Sequence, residues 1–208
     1  MNKLLLNWKA GQLRRPHGFW GRRMADNMQK GNVIFYDWML PQIDLGQSKN
    51  ILEIGYGTGF VLNKFASEFS GACFYGIDFS KIMHLKSLVV NKEHIERGKM
   101  FLSFGDILDY SPAVKFDAAY CLNVIYFWAD LRNYFRKAAS LMEKEGKFYI
   151  YMASPESLIE LKLGLTSTFN KHEAADVVSA LKASGFSKAD LITGRTHNIN
   201  HNCIIAQK

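Results

Sequence analysis

The sequence predicts an α/β protein built on a doubly wound, mostly parallel sheet. Three observations carry this. From residue 50 onward, short apolar runs rich in β-branched and aromatic residues alternate with amphipathic stretches. The first run opens directly into a glycine loop, "EIGYGTG" at 53–59, and then into a helical pattern. The last two runs, 189–195 and 201–207, are joined too closely for a helical crossover, so they pair antiparallel at one edge.

Residues 1–45 read as helical or irregular, with "RRPHGFWG" as a Pro/Gly turn in the middle. Asn32 caps a helix that Pro41 ends. Strand 50–55 is followed by a helix over 60–69. Strand 72–78 leads into a helix over 81–96, and strand 99–106 follows. Strand 115–124 precedes a helix near 130–143, and 147–153 is the fifth strand. A helix over 170–185 stops at Gly185, before the closing pair of strands. The expectation is a seven-stranded sheet with an antiparallel last strand, preceded by an N-terminal helical lid. The division falls between 1–45, a lid and basic arm, and 46–208, the sheet domain. In such a sheet the ligand site lies at the carboxyl ends of strands 1 and 4, where the winding reverses.

Composition narrows the class. A chain of 208 residues reaches a real core and suggests one domain, with or without an appendage. No apolar run approaches the roughly 20 residues of a bilayer span. The apolar start ends at Asn7, too short for a signal peptide. Cys73, Cys121 and Cys203 are widely spaced and odd in number, which fits neither a disulfide framework nor a zinc pattern. A reduced, cytoplasmic protein is expected. The net charge of +7 is uneven: residues 1–30 hold seven cations against Asp26 alone. Such an arm attracts nucleic acid, a membrane surface or an anionic small substrate, or is simply a solvated face.

The glycine loop carries the chemistry. Gly55 permits a tight turn, and Gly57 and Gly59 remove Cβ atoms so that a ligand can lie against the backbone. The following helix start offers free N–H groups. A dinucleotide fingerprint would place its third glycine where Phe60 stands. The spacing G-x-G-x-G with Glu53 before it instead resembles the first motif of class I S-adenosylmethionine-dependent methyltransferases, a Rossmann-like family. The resemblance continues over roughly 48–155. "GIDFSKIM" places Asp78 at the second strand tip, nineteen residues after Gly59. "FGDILDY" places Asp106 after the third strand, and "CLNVIYFW" places Asn123 at the tip of the fourth.

The resemblance implies S-adenosylmethionine as cofactor and S-adenosylhomocysteine as product, with no metal. It implies that Glu53, Gly55, Tyr56, Gly57 and Gly59 form the loop around it. Asp78 would accept the ribose hydroxyls, and Phe79 and Met83 would flank the adenine. Gly105, Asp106 and Ile107 would meet its amino edge, and Asn123 its methionyl part. Tyr126 and Trp128 follow where acceptor and methyl group meet, and aromatic faces attract a sulfonium cation. In the lid, His17, with Tyr126 as orienting hydroxyl, is a candidate for proton removal. His197 and His201 are further candidates, though a surface place suits both. Arg14, Phe19 and Trp20 are candidates for binding an acceptor with an acidic group.

Marks of other subclasses are missing. "NVIY" lacks the prolines of the amide- and adenine-modifying motif, and Cys121 lacks the Pro-Cys pair. A small-molecule acceptor, partly aromatic or apolar, is therefore expected, on a monomer or homodimer. The alternatives are an RNA or protein methyltransferase using the basic arm, and a non-catalytic cofactor-binding partner subunit. A nucleotide-dependent oxidoreductase stands behind these, opposed by Phe60 and Asp106.

Overall fold

A computed structural model describes residues 2–208. The strands are β1 Asn50–Ile54, β2 Cys73–Asp78, β3 Met100–Phe104, β4 Phe116–Leu122, β5 Met142–Ala153, β6 Lys188–Thr196 and β7 Ile199–Gln207. They form one sheet in the order β3-β2-β1-β4-β5-β7-β6. β1 pairs in parallel with both β2 and β4, so the winding reverses at β1 and opens a crevice between β1 and β4. β7 lies antiparallel between β5 and β6, which leaves β6 at the edge.

The helices are α1 Lys3–Arg14, α2 Gly18–Met39, α3 Phe60–Glu68, α4 Lys81–Val90, α5 Lys92–Glu96, α6 Leu131–Leu141, α7 Pro155–Glu160 and α8 Ala174–Lys182. One face of the sheet is covered by α6 and α8, whose Phe135, Ala138, Val177 and Leu181 bury against Phe148 and Ile150. The other is covered by α3 and the end of α2, where Leu62, Phe65 and Tyr36 meet Tyr120 and Tyr149. Burial on both faces is why the central strands read as continuous apolar runs. Asp117 accepts the N–H groups of Lys49 and Asn50 at 2.8 Å and so fastens β4 to the start of β1.

Several boundaries differ from the sequence expectation. Asn32 does not cap a helix; it lies inside α2, which runs unbroken from Gly18 because the turn ends there. The expected helix over 81–96 breaks at Asn91. The Asn91 amide donates to Gly59 O and Ser87 O, tying that point to the glycine loop. β5 begins at Met142, with a register shift opposite the start of β4 and Glu145 at φ 66°. α7 was not anticipated; Ser154 caps it and Pro155 opens it. No described helix is long and apolar enough to cross a membrane.

Candidate functional site

The three loop glycines are there for two different reasons. All have positive φ: 74° at Gly55, 55° at Gly57 and 76° at Gly59. A Cβ on Gly55 would lie 2.5 Å from Val124, and one on Gly59 only 2.0 Å from Ser87 Oγ. These two are required by packing against the β4 loop and α4. Gly59 therefore does not make room for a ligand, as the motif suggests, but for Ser87 and Asn91. A Cβ on Gly57 meets nothing within 4 Å. Gly57 lines a pocket at the β1–β4 crevice, and it is the glycine that leaves space there.

Asp78, at the tip of β2, holds this loop. Its Oδ2 accepts the Gly57 N–H at 2.8 Å and its Oδ1 the Ser80 N–H at 2.7 Å. Burial still pushes its pKa up to about 6, the two N–H bonds opposing the shift. Glu53 is more strongly affected. It is buried and receives the Tyr120 hydroxyl at 3.1 Å; desolvation, with the nearby Asp78 charge adding, raises it to about 8. Neither carboxyl has an ion-pair partner among the described residues, so the pocket floor can accept positive charge.

Most cofactor-side candidates come together. Glu53, Gly55, Tyr56, Gly57, Asp78, Phe79, Met83, Gly105, Asp106, Ile107 and Asn123 all line the one pocket. Tyr56 presents its ring only, since its hydroxyl bonds His84 Nδ1 at 2.7 Å and Ser103 O at 3.0 Å. That contact also leaves His84 half-buried. Asp106 caps a short turn through the Leu108 N–H at 3.0 Å.

The acceptor-side candidates divide. Arg14 and Trp128 line the pocket, with Trp128 stacked on Tyr134 at 4.7 Å. Tyr126 does not line it. Its hydroxyl donates to Asn123 Oδ1 at 3.1 Å and accepts the Ala153 N–H, so it clamps two strand ends behind the wall. Burial raises its pKa, as it does that of Tyr151. His17 starts α2 and bonds Gln12, outside the pocket. Phe19 and Trp20 point to solvent. His201, expected at the surface, is 1% exposed, enclosed by Phe35, Trp38 and Tyr151.

Sequence reasoning missed the opposite wall. Met28, Phe35, Tyr36 and Met39 of α2 reach the pocket, and Tyr36 stacks on Phe60 at 5.4 Å. Tyr151 of β5 joins them, its hydroxyl 3.2 Å from His201 Nδ1. The available signal was the i, i+3, i+4 spacing of Met28, Asn32, Phe35, Tyr36 and Met39 on one long helix.

Residues 52–148 match the family model of a methyltransferase domain. The uncharacterized methyltransferase YdaC of Bacillus subtilis (strain 168) is 25% identical over 171 residues, covering 79% of this chain and 86% of that protein. YrhH of the same organism is 24% identical over 112 residues, covering 54% of this chain and 62% of that one. Among solved structures, the S-adenosylmethionine-dependent methyltransferase SibL in its apo form superposes with a TM-score of 0.74 at 17% identity, covering 87% of this chain and 56% of SibL. Human N-acetylserotonin methyltransferase in complex with SAM gives 0.71 at 16%, covering 90% and 56%. The chain thus spans less than two thirds of YrhH and little more than half of either structure. Residues 52–148 are thus similar to a methyltransferase domain, and the fold is shared with S-adenosylmethionine-dependent methyltransferases such as SibL, in line with the resemblance carried by the loop and the strand-tip acids.

Proposed function

We propose that this protein transfers a methyl group from S-adenosylmethionine to a small molecule with an apolar or aromatic body and an acidic group. The observation that carries this is the two-sided pocket. One side is backbone and carboxyl groups at strand ends. The other is Met28, Phe35, Tyr36 and Met39 of α2, with Arg14 at the edge.

The residues present fit the cofactor. Gly57 leaves a cradle that a Cβ would fill, and Glu53 and Asp78 are buried carboxyls without a cation beside them. Asp78 would take the ribose hydroxyls, Phe79 and Met83 the adenine faces, Asp106 the amino edge, and Glu53 and Asn123 the methionyl end. Bound there, the cofactor supplies a methyl group already activated by its sulfonium. The protein's part is to align the acceptor, exclude water and let a proton leave. The apolar α2 wall excludes water, and Arg14 suits an acceptor carboxylate or phosphate. For the proton, the geometry favours Tyr151 over Tyr126 and His17. Tyr151 lines the pocket, and its hydroxyl is backed by the buried His201 imidazole. Residues 1–45 act as the pocket's helical lid, and three unpaired cysteines suit a cytoplasmic setting.

The test is incubation with methyl-labelled S-adenosylmethionine and a cell extract separated into metabolites, lipids, RNA and protein. Label in metabolites or lipids supports the reading and yields a product to identify. Label in RNA or protein retires the small-molecule claim and makes the basic arm a docking surface. Cofactor binding with label nowhere points to a subunit that needs a partner chain.

A further inference from the structure

The helices α1 and α2 each have a second apolar face that the fold leaves uncovered. On α1, Leu6, Ala10 and Leu13 turn inward. Leu4 and Trp8, one turn apart, lie on the opposite side with Leu5 beside them, 76%, 43% and 52% exposed. On α2, Gly21 and Ala25 pack inward, while Phe19 and Trp20 are 72% and 61% exposed. These outer faces carry cations at their borders. Lys3, Lys9, Arg22 and Arg23 are exposed, and none of them has a carboxylate partner among the described residues.

We propose that this outer face of α1 and the start of α2 is a docking surface for an anionic lipid membrane. Leucine and tryptophan on one face with lysine and arginine beside them is the composition of a helix lying in the headgroup layer. The first 30 residues carry seven cations against Asp26, nearly all of the chain's +7, so an anionic surface attracts them. The same charge makes a second copy of this face a poor partner, since like charges would meet across the interface. Nucleic acid would use the cations and aromatics but has no use for exposed Leu4 and Leu5. No described helix crosses a membrane, so the contact is with its surface. The inference does not depend on the methyl-transfer reading.

The test is co-sedimentation of the full chain with phosphatidylglycerol–phosphatidylcholine vesicles and with phosphatidylcholine vesicles alone. Binding to the anionic vesicles is expected to exceed binding to the neutral ones by about tenfold or more and to weaken with salt. The triple variant Leu4→Ser, Leu5→Ser, Trp8→Ser should lose about tenfold of that binding, because apolar insertion is lost while every cation remains. These three side chains are exposed and outside the pocket, so an unchanged circular dichroism spectrum and melting temperature verify that the variant is folded. No preference for anionic vesicles overturns the proposal. Binding unchanged in the folded triple variant overturns it too, leaving only diffuse charge attraction. A concentration-dependent dimer abolished by the same variant would assign the face to a second copy and overturn it equally.

Discussion

The two walls of the pocket are built on different principles. The sheet-side wall consists of backbone and short polar groups held at strand ends: Gly57, Asp78, Asp106 and Asn123. Each is fixed by hydrogen bonds or by a conformation few residues adopt, as in the Asp78 bonds to the N–H groups of Gly57 and Ser80. The helical wall consists of long apolar side chains on α2, held by packing, as in the Tyr36–Phe60 stack. The first wall tolerates almost no substitution of residue type, while the second asks only for volume and apolarity. A cofactor common to a family suits the first, and an acceptor that varies among its members suits the second.

The loop glycines offer the largest break in this comparison. Gly57→Val should reduce S-adenosylmethionine affinity at least about 100-fold, or about 2.7 kcal/mol, because the side chain enters the open cradle. Calorimetry showing unchanged affinity would remove the loop from the site. Gly59→Ala should act on the fold instead. Its methyl would collide with Ser87 Oγ, and a loss of roughly 2–4 kcal/mol in denaturant unfolding is expected. A stable variant with weakened binding would reverse the two assignments. Asp78→Ala should weaken cofactor binding by about 1.5–3 kcal/mol through lost charge-assisted hydrogen bonds. A loss under about tenfold, 1.4 kcal/mol, counts against its ribose role.

The buried carboxyls sharpen the comparison through pH. Glu53 is raised from 4.5 to about 8 and Asp78 from 3.8 to about 6 in the folded protein. Between those limits the folded state holds more protons than the unfolded one, so stability is greatest at the acid end and falls as pH rises. The melting temperature without cofactor should therefore decline from about pH 5 to about pH 8. Glu53→Gln should flatten the upper part of that decline; an unchanged slope would mean that Glu53 is not the titrating group. The smallest effect is expected behind the wall. Tyr126→Phe should cost about 1–2 kcal/mol of stability, because the Ala153 N–H loses its acceptor. Cofactor affinity should not change, and a clear loss in calorimetry would bring Tyr126 back to the site.

The same division explains what was legible in the sequence. Gly55, Gly57, Asp78 and Asp106 could be placed at the pocket because their positions follow from residue type and distance along the chain. The seven strands were legible from their apolar runs, although α7 and the early start of β5 were not, since a capping serine and a register shift leave little periodic signal. Tyr126 misled because an aromatic next to a strand tip reads alike whether it faces the pocket or clamps Asn123 to Ala153. Phe19 and Trp20 misled because the turn before α2 sends them outward. Tyr36 and Tyr151 were missed because their place depends on how α2 crosses the sheet, which is a property of the packed molecule.

The Asp78 bridge has a consequence for binding. By accepting from both Gly57 and Ser80, one carboxylate joins the turn after β1 to the start of α4 through bonds made wholly within the protein. The conformational entropy of that turn is therefore spent when the chain folds and not when the ligand arrives. Recognition at this end of the pocket is a matter of entry into a finished receptor, with the cost of ordering already carried by the stability of the domain.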